Sequence, residues 1–242
     1  MRYSLLVLFA FGVFAGNPVL KAQTGVHPED LEVFYRKAVE DAMTPDSSEV
    51  CDTLWDITQE NSRLLRTSKG ARSLVRMACF TRFPDTYSDS TVISGWGILW
   101  VFVPQQFRIR MTQVLHASSD TLMRVKQMLG LPPENRNYCF AEFDVDPADL
   151  FRPSADREIT DRICSLYLSP DADSLHRIWF LENIYASYFS EYRHYPWTRL
   201  GYTFDWAPGA PETGLSEYCV RKGAVLRNVK LYNAAEFLRK QP

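Results

Sequence analysis

The run GILWVFV, Gly97–Val103, is apolar at nearly every position and ends at Pro104. A strand of this kind fits the centre of a sheet covered on both faces, because an edge strand or a half-solvated strand alternates instead. That requirement asks the rest of the chain for two covering layers. A second strand, YCFAEFDV, does alternate: Cys139, Ala141, Phe143 and Val145 share one side, and Tyr138, Phe140, Glu142 and Asp144 the other. LL, then TSKG, then ARSLVRMACF reads as strand, turn and strand. LSEYCVR and AVLRNVKLY supply further strands near the end, followed by a short helix from Asn233.

Helical spacing predicts a helix over Glu29–Met43, with Leu31, Phe34, Tyr35 and Ala38 recurring and Pro45 stopping it. Ser47 and Ser48 are placed to cap a shorter helix through Cys51, Leu54, Trp55 and Ile57. Gln105–Leu115 and Ser119–Leu129 read as helices, the second ended by GLPP. Over Asp173–Tyr188 the stripe Leu175, Ile178, Leu181, Tyr185 and Tyr188 predicts one core-facing side, with Trp179 buried as well. Hairpin-like strand pairs mixed with helices, without a regular βαβ rhythm, indicate an α+β protein: a mainly antiparallel sheet with helices packed against it. No linker-like composition shift divides residues 23–242, so a single domain is expected.

The chain opens MRYSLLVLFAFGVFAGNPVLKAQ. One basic residue precedes a short apolar run, helix breakers follow, and a small-residue site ends at Ala22, the layout of a signal peptide over residues 1–22. The expected location is periplasmic or secreted, with no membrane insertion after cleavage. Cleavage removes Arg2 and Lys21, leaving 25 basic against 29 acidic residues, so the formal charge moves from −2 to −4. That balance argues against nucleic acid as a partner. Five cysteines, Cys51, Cys79, Cys139, Cys164 and Cys219, leave at least one unpaired in an oxidising compartment, and buried thiols or one disulfide are both open readings.

Motifs for cofactors are missing: there is no GxSxG, Walker loop, GxGxxG or HExxH, and His27, His116, His176 and His194 are scattered. No metal or cofactor is expected. Asp144, Asp146 and Asp149 fail the calcium-loop pattern, and Asp146 before Pro147 reads as the cap of one turn. His194 is a candidate base but reads more simply as structural. The block HYPWTRLGYTFDW, read as a strand, divides by parity. Leu200, Tyr202, Phe204 and Trp206 form an apolar face, whereas Arg199, Gly201, Thr203 and Asp205 form a polar one. Pairing with LSEYCVR would bring Thr203 and Asp205 near Glu217, and Arg199 near Arg221. Such a polar cleft suits a small polar or anionic ligand, since arginine offers a planar fork for carboxylate or phosphate and a desolvated glutamate can act as a base. Arg199, Thr203, Asp205 and Arg221 are thus the candidate ligand-binding residues and Glu217 the candidate catalytic one. The alternative is a non-catalytic protein that meets a sugar or a protein surface through exposed aromatics, 14 % of the chain.

YPWTRLGYTFDW followed by GLSEYCVRKGAVLRNV resembles an uncharacterised family of bacterial proteins, and GLPP and VDPADLFRP match the middle of its pattern, roughly over residues 50–240. The chain departs from it at Ala207, where a glycine is usual after the DW pair. This resemblance implies a shared fold and no particular activity. EYCVRKGAVLRNV is also similar to the last strands of mono-ADP-ribosyltransferases, which would give Glu217 the role of their glutamate and Arg76 that of an early-strand arginine, in an enzyme of the transferase or NAD-glycohydrolase kind. Their serine-threonine-serine strand has no counterpart; GYTF is a poor substitute.

Overall fold

The computed structural model describes residues 28–70, 72–114 and 120–240. Residues 1–22, expected to be a signal peptide, lie outside them. The chain forms α1 (Pro28–Ala42), β1 (Arg66–Lys69), β2 (Arg72–Thr81), β3 (Thr91–Ile93), β4 (Leu99–Phe102), α2 (Pro104–Val114), α3 (Thr121–Met128), β5 (Cys139–Val145), β6 (Leu150–Phe151), α4 (Ser174–Tyr188), β7 (Tyr202–Phe204), β8 (Thr213–Val220), β9 (Val225–Asn233) and α5 (Ala234–Arg239). All pairings are antiparallel. The path of the nine-stranded sheet is β3-β9-β5-β2-β4-β8-β6, with β1 beside β2 and β7 beside β8. The protein is α+β, as the strand and helix order indicates. Among the described residues no helix is long and apolar enough to cross a membrane.

Both faces of β5 and of the middle of β2 are buried, but β4, expected to be covered on both faces, is buried only in its second half: Leu99 is half-buried and Trp100 is 37 % exposed. On one side Met77, Phe143, Val145, Val101, Tyr218 and Leu226 pack together. On the other Ala78, Phe102, Phe140 and Leu215 meet Phe107 and Met111 of α2, Val125 and Met128 of α3 and Phe237 of α5. The alternation read in β5 holds, with the difference that every residue of the strand is buried. Its inward charges survive because each is matched. Glu142 accepts from Arg76, Arg108 and Lys240, and Asp144 from Arg76, Thr67 and Asn228. Burial alone would raise both carboxyls; these donors together outweigh it and hold both below the usual carboxylate range.

Helix boundaries follow their chemistry. Glu29 and Asp30 occupy the first turn of α1, and Tyr35, Ala38, Val39 and Ala42 bury one stripe of it. Asp120 caps α3 through the Met123 amide, and Gly130 (φ +63) turns the chain out of it. Asn233 and Glu236 form a reciprocal capping box on α5. Asp146 caps one 3-10 turn, Pro147–Asp149.

Two expectations are corrected. Residues 47–57 form no helix. The amides of Leu54, Trp55 and Ile57 donate to the Arg162 carbonyl, the Ser216 hydroxyl and the Ile159 carbonyl, partners that a helix would have taken from them. In α4 most of the expected stripe is not buried: Leu175 (75 % exposed), Ile178, Leu181 and Tyr185 face outward, whereas Tyr188 is buried as expected. The buried side carries His176, Phe180, Ser187 and Tyr188, with Trp179 half-buried. This helix is apolar nearly all round, so periodicity offers two stripes. The one with the larger rings is buried, because Trp179 and Phe180 stack edge-on against Phe151 and Trp197. All five cysteines are free.

Candidate functional site: an aromatic cavity with one unpaired carboxyl

Strands β2 and β4 pair only at Ala78–Phe102, whereas β4 pairs with β8 along its whole length, Leu99–Phe102 against Val220–Glu217. Residues 79–81 and 98–102, past that single pair, line a cavity of about 770 Å³. Tyr185, Ser187, Tyr195 and Trp197, from the end of α4 and the segment after it, close one side, and Leu129–Leu131 with Phe204 another. The walls are dominated by rings. Trp100 meets Trp197 edge-on at 6.0 Å between centroids, and Tyr87 meets Trp96 at 5.7 Å. Trp197 is fixed by its indole N–H, which donates to the Pro153 carbonyl at 3.0 Å.

Glu217 stands on this wall, opposite Phe102. Alternation along β8 turns Tyr218 and Val220 into the first core and leaves Leu215, Glu217 and Cys219 on the other side. Its backbone is anchored, the amide donating to the Gly201 carbonyl at 2.9 Å. Among the described residues its carboxyl has neither a hydrogen-bond nor an ion-pair partner. Burial therefore acts unopposed and pushes its pKa up to about 8. A carboxyl raised in this way can serve as a hydrogen-bond donor while it holds its proton and as a base once it loses it.

The other residues of the expected polar cleft go elsewhere. Arg199 adopts a left-handed conformation (φ 62), and Gly201 another (φ 76), so residues 199–206 are not one pleated strand and the parity argument fails there. Arg199 Nη2 reaches the carbonyls of Ala42 and Met43 at 3.1 and 2.7 Å, closing the end of α1, where carbonyls lack helical partners and the helix dipole favours a cation. Asp205 is buried in a two-pronged pair with Arg124, at 2.9 and 2.6 Å. Arg221 lies over the Phe151 ring, 5.4 Å from its centroid, and its amide bonds to Asp149 rather than facing Arg199. Thr203 does line the cavity, but its hydroxyl donates to the Met128 carbonyl and accepts from the Leu215 amide. Arg76 is committed to Glu142 and Asp144. His194 and His176 contact the carbonyls of Ser190 and Ser154. The structure thus brings Glu217 and Thr203 to one cavity and takes Arg199, Asp205 and Arg221 away from it.

Arg199→Ala is expected to lower stability by ~1–2 kcal/mol, through two lost bonds to helix-end carbonyls. Urea unfolding measures it; an unchanged midpoint would show that α1 does not depend on this cap.

Two acidic groups, Asp41/Glu49/Glu212 and Asp156/Glu158/Asp161, bring carboxylate oxygens within 4.8 Å, and neither lies on the cavity. The residues that sequence reasoning missed are Trp96, Trp100, Tyr185 and Trp197. Trp100 hid inside an apolar run and Trp197 inside an aromatic block, where large rings read as core. The one available signal was Glu217, a carboxylate in a strand that is otherwise apolar. No protein-family model, curated protein or solved structure matches this chain.

Proposed function

We propose that the chain is an exported ligand-binding protein that takes a small, largely aromatic molecule into the cavity between β4, β8 and α4, with Glu217 as its polar anchor. One observation carries the reading: the unpaired Glu217 carboxyl is set in a ring-lined cavity of about 770 Å³. That volume is in the range that buries a drug-sized molecule, and few, well-placed polar groups in an apolar wall are the usual design of such sites. The amino-terminal pattern supports export. The cavity is apolar rather than the polar cleft that parity suggested. An anionic dinucleotide fits it poorly, because Arg193, the guanidinium on its lining among the described residues, is already engaged by Glu32 and Glu134. A second reading is an enzyme that uses Glu217 as general acid or base on such a molecule. A pKa of about 8 favours it, since proton transfer is most effective near the working pH.

A thermal-shift screen of small aromatic compounds tests the binding reading, because a ligand specific to the folded state raises the melting temperature. Hits should also change the fluorescence of Trp96, Trp100 and Trp197, and both effects should weaken in Glu217→Gln. Compounds that stabilise the two proteins equally would remove Glu217 from the site.

Glu217 also sets a pH dependence. Its folded pKa, about 8, lies above the ordinary glutamate value of 4.5, so the native state holds a proton that the unfolded chain releases. Stability contributed by that proton is full below pH 4.5 and is lost as pH rises through 8. The residue is only half-buried, so solvent softens the effect and a fall of ~2 kcal/mol is expected. Glu217→Gln should lack this fall in urea unfolding compared between mildly acid and mildly alkaline buffer. Equal falls in both proteins would place the Glu217 carboxyl in water.

A further inference from the structure

We infer that the cavity selects organic cations: molecules with an ammonium group that lies against the ring faces and beside the Glu217 carboxylate. This rests on the cavity being a binding site, and it adds the charge of the ligand.

The contrast with other acids of the fold carries it. Glu142 meets Arg76, Arg108 and Lys240; Asp144 meets Arg76; Asp205 meets Arg124. Each of these deeply buried carboxylates has its cation from within the chain. Glu217 has none among the described residues. A half-buried carboxylate without a counter-charge is penalised, though less than those three would be, and the empty state favours its protonated form. A cationic guest would supply the missing charge and let the proton go.

The surroundings agree. Faces of tryptophan and tyrosine attract cations through the ring quadrupole, at exposed positions such as Trp96, Trp100 and Tyr185 as well as at buried ones such as Trp197. Trp96, Trp100 and Trp197 are on the lining, with Tyr87 and Tyr185. Arg193, on the segment after α4, meets two carboxylates, Glu32 and Glu134, so its neighbourhood does not repel a cation. Other titratable groups also face the cavity or pack beside Glu217. Burial pushes up the thiols of Cys219 on β8 and Cys79 on β2, the latter to about 12, and raises the phenols of Tyr87 and Tyr188 as well. Arg199 lies against the Tyr188 ring rather than against Glu217. Tyr185, Tyr192 and Tyr195 are the remaining phenols on the wall.

Two probes of the same shape test this: phenyltrimethylammonium, whose charge does not titrate, and neutral tert-butylbenzene. Calorimetric titration of the whole protein would compare them at about pH 6 and about pH 9. The cation should bind roughly 10- to 100-fold tighter at the higher pH, in proportion to the ionised fraction of Glu217. Tert-butylbenzene should bind no tighter there than at the lower pH. In Glu217→Gln, checked for an unchanged circular dichroism spectrum, the cation should lose its pH dependence and bind as the natural protein does at the lower pH. Binding of tert-butylbenzene with no pH-dependent gain for the cation would overturn the cation preference and leave the cavity a binding site. A pH gain that persists in Glu217→Gln would also overturn it. Binding of neither probe at either pH would overturn both readings.

Discussion

Glu142→Ala should cost ~3–5 kcal/mol, the usual penalty for breaking a buried ion pair from one side. Glu142 is 1 % exposed at the middle of β5 and is the common acceptor of three cations from β2, α2 and the chain beyond α5. Its removal leaves Arg108, 2 % exposed, with only the Phe237 carbonyl at 3.1 Å and the Phe237 ring face at 4.4 Å. A guanidinium cannot shed its charge at accessible pH, so the whole penalty falls on stability. Lys240→Ala should cost less than about 1 kcal/mol, because that ammonium is one-third exposed and solvent replaces what it loses. Urea midpoints of the two variants decide the matter. A loss below ~1 kcal/mol for Glu142→Ala would mean that Arg108 finds water or another partner and that the network is not what joins α2 to the sheet.

Gly201→Ala should cost ~2–5 kcal/mol. The left-handed backbone alone costs a residue with a Cβ ~1–2 kcal/mol, and overpacking adds ~1–3. An added methyl would sit 2.5 Å from Cys164 Sγ, 2.7 Å from Arg152 Cδ and 3.1 Å from Leu54 Cδ1. Arg152 cannot step aside, since it is fully buried and donates to Asp161 and to the Trp55 carbonyl. Gly209 is the control. Its φ is +75, but nothing stands within 4 Å of the added atom, so Gly209→Ala should show the backbone cost alone. Equal losses at the two sites would mean that the 152–164 segment yields. Because the Gly201 carbonyl accepts the Glu217 amide, the same substitution should also weaken ligand binding in whatever fraction folds.

What the sequence made legible was local. The α+β class follows from strand patterns set among helical ones, and α1, α3 and α4 fall within a residue or two of their expected spans because proline, glycine and capping residues punctuate them. The glycine at 201 does mark a close approach, although the neighbours are Cys164 and Arg152 side chains rather than a ligand. Glu217 was legible as a residue apart, but its company was not. The cavity draws on β2, β4, β8, α4 and the turn after α3, and no pattern within one segment reveals that β4 leaves β2 after one pair to run along β8. The parity of residues 199–206 misleads for a backbone reason: two left-handed residues, Arg199 and Gly201, break the pleat on which parity depends.

The position of β9 governs when this protein can fold. It comes late in the sequence, yet it sits between β3 and β5, pairing Arg227 with Thr91 and Lys230 with Glu142. Until those residues arrive, β5 offers an open edge of unpaired backbone groups along a strand rich in aromatic residues. The sheet is therefore closed by one of its last strands, through loops spanning much of the chain, and such long-range closure makes folding slow. A growing chain carries that sticky edge until β9 has been made, which is the interval in which an escorting chaperone would matter most.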